Sequence, residues 1–534
     1  MLNRKSKKWF DGAVGYQIYP RSFYDSNGDG VGDLKGIIEK LDYLAGGPQS
    51  LGVEVIWLCP FYKSPMADFG YDISDYYNVD PIFGNQEDII ELVKQAHERG
   101  VRVLVDLVAN HTSKEHPWFV DSKNSRDSSK RDWYIWRDGK GGQPPNDWLS
   151  VFGGSAWQFD QLTNQYYLHS FSVHQPDLNW ENGEVRAAVK DIMRFWLDLG
   201  VDGFRADAVF WLSKDHRFRN DPARILNTPG RRYDELDHTY SRKGPHLYGY
   251  LREMTAVLNE YKDRFMIAEA YPKGDRNGYE YLKFYRYVDH KHLAPFNFEG
   301  IYFPWKAQLF KSFIDGFQKG LKSNYLPVYT FGNHDQPRLS SRLGEDVAPT
   351  AALCLLTLPG MPFIYYGEEL GMKNVQIPMN LRNDPLSMQG DGRDRVRTPM
   401  LWDGSANAGF SSNTPWLPVG DGYKELNAKN ELARPDSLLN LYRRLIALRN
   451  GSDILRYGSY QPLDLETESV FGFIRKYKRQ KIAVVINFTA ERCTIANKIL
   501  HGKVILSSNQ TPRDSHVDRT VELDSHEGLI IKLG

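Results

Sequence analysis

Apolar residues gather in short runs along most of this chain: VGYQIYP (14–20), VEVIWL (53–58), VRVLVDLV (101–108), VDGFRAD (201–207), RFMIAEA (264–270), PVYTFGN (327–333) and MPFIYYG (361–367). Runs of this length predict buried β-strands. Helix-period stretches that stop at glycine stand before two of them: IIELVKQAHERG before Val101 and VKDIMRFWLDLG before Val201. Strand and helix alternating over this length predict a (β/α)8 barrel rather than an open sheet. The eighth strand is weakly marked, and LAPFNFEG (293–300) is the candidate.

Two stretches break the rhythm. Residues 112–184 are rich in Trp, Gly, Asn and Asp without a clear periodic helix, which predicts an insertion after the third strand. From about 455 the chain turns to short strands with turns (SVFGFIRKY, KIAVVINF, GKVILSS, EGLIIKLG), which predicts a small antiparallel domain. The expected fold is therefore α/β: a TIM barrel from residues 1–111 and 185–454, an inserted loop-rich domain at 112–184, and a C-terminal antiparallel β domain at 455–534.

Composition narrows the choice of function. At 534 residues the chain is too long for one core. Lys+Arg and Asp+Glu both number 67, so no net field draws the chain to nucleic acid or an anionic membrane. Cys59, Cys354 and Cys493 are too few for a disulfide framework, and the first two lie in apolar runs as buried thiols. The start MLNRKSKKWFDG has no apolar stretch behind its basic residues, and no run approaches the ~18 residues of a membrane span. The cytoplasm is the expected compartment.

Barrel enzymes place their chemistry at the C-terminal ends of strands. Those ends carry Asp106, His111, Arg205, Asp207, Glu269, His334 and Asp335. Carboxylates converging on one face suit glycoside hydrolysis, in which one attacks the anomeric carbon and another, kept protonated, donates to the leaving oxygen. Arg205 stands two residues before Asp207, so both face the same way and the guanidinium holds the carboxylate ionised. Metal catalysis is the rival use of such a cluster, but HExxH spacing is absent.

DLVANH (106–111), GFRADAV (203–209), EAYP (269–272) and FGNHD (331–335) resemble, in order and spacing, the four signature regions of glycoside hydrolase family 13, the α-amylase superfamily. QPDLNW (175–180) is similar to the extra region of its oligo-1,6-glucosidase and α-glucosidase branch. The resemblance implies Asp207 as nucleophile, Glu269 as acid/base and Asp335 as the third carboxylate, gripping the hydroxyls of the distorted sugar. It implies His111, Arg205 and His334 as ligands of the terminal glucose, Tyr71 as its stacking ring, and Phe171 and Gln175 as further lining. Asp68 would close the pocket by pairing with Arg397 of RVRTPMLWD (395–403); Arg393 and Arg395 lie close by.

The same resemblance bears on linkage. In this branch valine after the nucleophile goes with α-1,6 specificity, and smaller residues or threonine with α-1,4; here the residue is Ala208. Maltose is thus the expected substrate, with isomaltose, sucrose cleavage and transglucosylation as neighbouring activities. A non-catalytic barrel scaffold is the remote alternative, although such relatives lose the carboxylates that this chain keeps. The loop HRFRNDP (216–222) is a second candidate for shaping the leaving-group side.

The loop DSNGDGVGD offers oxygen donors at alternate positions: Asp25, Asn27, Asp29, the Val31 carbonyl and Asp33. It departs from an EF-hand at the twelfth position, Gly36 instead of Glu. The resemblance implies a structural Ca2+ or Mg2+ here and no organic cofactor. Glu368 and Glu369 read as structural pairing, and RKYKRQK (475–481) as a solvated hairpin.

Overall fold

Each apolar run forms one strand of a closed sheet in the computed structural model, which describes residues 7–224, 232–271, 278–389, 392–509 and 516–534. The strands are β1 (Gly15–Ile18), β2 (Val55–Leu58), β3 (Arg102–Leu107), β4 (Gly203–Ala206), β5 (Phe265–Ala268), β6 (Leu293–Asn297), β7 (Val328–Thr330) and β8 (Met361–Tyr365). All pairings are parallel, and β8 returns to β1 to close the barrel. Helices cover the outside and side chains fill the inside, so these strands read as continuous apolar runs rather than alternating ones. The weakly marked candidate is indeed the missing strand, with Ala268 of β5 opposite Pro295 of β6.

The helix-stop glycines do what the pattern requires. Gly100 and Gly200 follow helices Gln86–Glu98 and Gly183–Asp198 with φ of 72° and 104°, in the left-handed region where glycine has no Cβ to clash. The close fit between β4 and β5 rests on Gly203, since a Cβ there would fall 1.7 Å from the Phe265 carbonyl oxygen.

Between β3 and β4 the chain leaves the barrel. It forms a three-stranded antiparallel sheet from Trp136–Arg137, Gln165–Leu168 and Trp157–Asp160, with its own apolar cluster around Trp148 and Trp157. It also carries one helix, Pro117–Asn124, capped by His116; eight residues with little amphipathic bias gave no periodic signal. Beyond the barrel, β9 (Ser459–Pro462), β10 (Val470–Tyr477), β11 (Gln480–Asn487), β12 (Cys493–Ser507), β13 (His516–Leu523) and β14 (Gly528–Leu533) form one sheet in the order β9-β10-β11-β14-β12-β13. The basic run is the β10–β11 hairpin, with one correction: Arg475 is fully buried and donates to the carbonyls of Thr357 and Gly458. All three cysteines are free, Cys59 and Cys354 buried and Cys493 half-buried. Among the described residues no helix is long and apolar enough to cross a membrane.

Candidate active site

Three strand ends meet on one guanidinium. Arg205 pairs with Asp106 at the end of β3 (Arg205 Nη1 to Oδ1, 2.6 Å), with Asp207 just past β4 (Nη1 to Oδ1, 2.6 Å) and with Glu269 just past β5 (Nη2 to Oε2, 2.9 Å). The backbone fixes this meeting. The Asp207 amide donates to the Leu107 carbonyl at 3.0 Å and the Glu269 amide to that of Ala206 at 2.8 Å, so the inter-strand bonding runs on past the strand ends. At Ala208 the chain turns sharply, with φ 45° and ψ 40°, and its amide donates to Glu269 Oε2 at 2.7 Å. A non-glycine residue in that region is uncommon and marks a functional turn.

Asp207 and Glu269 border a cavity of about 500 Å³ at the C-terminal end of the barrel. Of the residues expected from sequence, Asp68, Tyr71, His111, Phe171, Gln175, Asp207, Ala208, Glu269, His334 and Asp335 all line it. Tyr71 and His334 lie nearly parallel, 5.4 Å between ring centroids, and the Tyr71 hydroxyl meets His334 Nε2 at 2.8 Å. Arg205 and Arg397 do not border the cavity. Arg205 holds the carboxyls through its two terminal nitrogens.

The pocket-closing pair also needs correction. Asp68 is held by Arg393, Nη2 to Oδ1 at 2.6 Å, while Arg397 pairs with Asp335 at 2.8 Å and donates to the His334 carbonyl at 2.9 Å. Residues 394–396 form a 3₁₀ turn, so the arginines on either side of it reach different carboxylates. Arg393 further binds Asp384 at 2.7 Å and approaches Asp335 at 3.3 Å. The loop 216–222 shapes the insertion rather than the cavity: Phe218 packs against Trp148 and Trp157, and no residue of the loop is in the lining. Lining residues that sequence patterns did not mark include Phe152, Trp211, Tyr233, Arg242 and Tyr302. Tyr271, also in the lining, stood within EAYP without a role; Pro272 of that motif lies outside the described residues.

The charges are unevenly held. Burial, then the charge of Glu269, pushes the Asp207 carboxyl well above the usual range against the pull of Arg205. Arg205 pulls Asp207 toward the ionised form, as its place in the sequence predicts, but burial outweighs that pull. Burial likewise lifts Asp106 to about 6, with Arg205 opposing. Asp335 is the opposite case: burial would raise it, but His334, Arg397 and Arg393 hold it well below the ordinary value. Burial also drives His334 far below its ordinary value, so its imidazole is neutral and the two arginines supply the pull. His111 is lowered to about 4 by burial and is neutral too. The cavity thus offers one firmly ionised carboxylate, Asp335, a nucleophile candidate, Asp207, raised by burial, and neutral imidazoles to donate or accept.

Glu368 and Glu369, just past β8, face away from it. Glu369 Oε1 accepts from the Tyr16 and Tyr43 hydroxyls at 2.7 Å each, and Glu368 Oε1 from Tyr442 at 2.9 Å. Their structural reading stands. In the loop 25–33 the side-chain oxygens are turned onto the loop's own amides: Asp25 accepts from Gly28 and Gly30 at 2.7 Å each, and Asp33 caps the next helix through Gly36 at 2.7 Å. Among the described residues no three His, Cys, Asp or Glu gather as a metal cage.

Comparison with known proteins agrees with this geometry. The family description "Alpha amylase, catalytic domain" matches residues 17–458. An oligo-1,6-glucosidase of Bacillus cereus is 38% identical, covering 99% of this chain and all of its own. A probable alpha-glucosidase of Rhizobium meliloti is 39% identical over 92% of each chain. Among solved structures, the alpha-glucosyl transfer enzyme XgtA superposes with a TM-score of 0.91 at 36% identity, covering 99% of this chain and all of its own. With a closed barrel, carboxyls at its strand ends and a match over most of its length, this chain belongs to the α-amylase family of glycoside hydrolases, glycoside hydrolase family 13.

Proposed function

We propose that the chain is a retaining, exo-acting α-glucosidase that releases α-glucose from the non-reducing ends of short α-1,4-linked gluco-oligosaccharides such as maltose. The observation that carries this reading is the pair Asp207 and Glu269 on the two terminal nitrogens of Arg205, at the cavity wall. Asp207 attacks the anomeric carbon, Glu269 protonates the leaving oxygen, and Glu269 then takes a proton from the water that releases glucose. Asp335 grips the sugar hydroxyls, and the Asp68–Arg393 pair closes the deep end so that one glucose fits. Ala208, in the lining, leaves room for the leaving sugar of an α-1,4 link.

The names of the relatives favour a second reading, an oligo-1,6-glucosidase. Initial rates on maltose and isomaltose decide between them: maltose should be faster, and a preference for isomaltose overturns the first reading. Ala208→Val should raise the isomaltose-to-maltose ratio of kcat/KM, by roughly tenfold if a packing change of this size governs the choice. Because a β-branched residue is strained at positive φ, the ratio rather than the rate is the readout. NMR of fresh product should show α-glucose; β-glucose first would refute retention.

We also propose a structural Ca2+ or Mg2+ at Asp25, Asn27, Asp29, Val31 and Asp33. The donor set supports it, all oxygen, with Gly28 and Gly30 at φ of 78° and 93° to form the turn.

A further inference from the structure

Among the described residues, the guanidinium groups in and around the cavity wall differ in what holds them, and Arg395, also in the lining, is not without a partner. Arg393 is shared among Asp68, Asp335 and Asp384, and Arg205 and Arg397 lie beneath the lining on carboxylates of their own. Arg242 is different. It lines the cavity beside Trp211, half-buried, and among the described residues it has no carboxylate within ion-pair distance and donates no side-chain hydrogen bond. Its guanidinium carbon lies 5.4 Å from the centroid of the Trp211 ring, a contact that orients a cation without neutralising it.

The backbone that carries Arg242 is pinned on both sides. The Tyr240 amide donates to Asp221 Oδ1 at 2.6 Å, and the Lys243 and Gly244 amides to the carbonyls of Phe210 and Ser213 at 2.7 Å each. Gly244 permits this, since a Cβ there would meet Lys214 and Ser213 oxygens at 2.6 Å. A fixed strap thus presents a free charge toward the cavity. The glucose end is lined by Asp68, His111 and Gln175 of other segments, whereas Arg242 rides on the wall formed by the turn after the nucleophile. Ala208, whose amide donates to Glu269 Oε2, begins that wall, so the wall stands on the side of the proposed acid, which serves the leaving group.

We propose that Arg242 is a specificity residue on the leaving-group side, selecting α-glucosides whose aglycone carries an anionic substituent, a carboxylate or a phosphate. An arginine left without a protein anion in a binding cavity is pre-set for one on the ligand. This rests on the α-glucosidase reading above and adds a substrate class to it.

The test uses matched pairs: maltobionate against maltitol for a carboxylate, and maltose phosphorylated on its reducing glucose against maltose for a phosphate. The wild type should prefer the anionic member of at least one pair in kcat/KM by about tenfold, the weight of one charge-assisted contact. Arg242→Lys should keep part of that ratio, and Arg242→Gln should bring it close to one. No anionic preference in either pair, or a ratio that survives Arg242→Gln, overturns the proposal. Turnover of p-nitrophenyl α-glucoside reports separately on the α-glucosidase reading. If that substrate is inert, calorimetric binding of the same four sugars to Asp207→Asn and to Asp207→Asn with Arg242→Gln still reads the ratio.

Discussion

Two pairs of buried carboxyls stand at the C-terminal ends of barrel strands, and they differ in what holds them. Asp207 and Glu269 share a guanidinium and border the cavity. Glu368 and Glu369 are held by three tyrosine hydroxyls and face the protein interior. In sequence both are acidic residues at the end of an apolar run. A cation keeps a buried carboxyl ready to exchange its proton and to bear charge, whereas a hydroxyl donor supports either form and leaves burial to favour the neutral one. The partner and the cavity, not the position on the barrel, separate a reacting pair from a structural one.

The sharpest way to break this contrast is to neutralise one member of each pair. Asp207→Asn should lower kcat on the order of 10⁴-fold while the protein stays folded by circular dichroism. Glu369→Gln can still accept from both tyrosines and should change kcat by no more than about threefold, within the range of a conservative change remote from chemistry. If the two losses are alike, the distinction fails. Arg205→Met should come next. It strands three carboxyls, so kcat/KM should fall by about 10³-fold, and denaturant unfolding should show a loss of about 3–5 kcal/mol.

Glu368 sharpens the contrast through pH. Burial pushes it from 4.5 to about 7, with Tyr442 opposing and Glu369 adding to the rise. Its folded-state value lies above the unfolded one. Its contribution to stability is therefore fully present below about pH 4.5 and lost as pH rises through about 7. Between about pH 5 and about pH 8 the wild type should lose on the order of 2–3 kcal/mol relative to Glu368→Gln, read from denaturant midpoints. Parallel curves would show that the carboxyl does not titrate in this range. The smallest effect belongs to the loop 25–33: removing a bound cation with EDTA should lower Tm by a few degrees and leave kcat unchanged, since selective binding to the native state stabilises it. An unchanged Tm, with no metal found by elemental analysis, refutes the site.

The barrel was legible because each strand is apolar on both faces, and even Leu293–Asn297 gave a trace despite Pro295 and Asn297. The carboxyls were legible because strand ends are where a barrel puts them. The pairing of Asp68 was not, because three arginines fall within five residues and only the 3₁₀ turn decides which one reaches it. Tyr233 and Arg242 escaped notice for another reason: after β4, Tyr233 sits in a four-residue 3₁₀ turn and Arg242 outside any helix or strand, so no periodicity points either side chain anywhere. The insertion's strands, four residues or fewer, are too short to announce themselves.

The ion pairs also set a timetable for synthesis. Arg205 lies 2 residues from Asp207 and 99 from Asp106, so most of the reacting cluster can neutralise itself as soon as β3 to β5 have left the ribosome. Asp68 must wait for a partner 325 residues downstream. At the ~5–20 residues per second of translation, that carboxylate stays without its cation for at least about a quarter of a minute. Until then the deep end of the pocket has no reason to close, and a nascent chain stopped after β5 would carry its nucleophile on a complete Arg205 cluster above a floor still open to water.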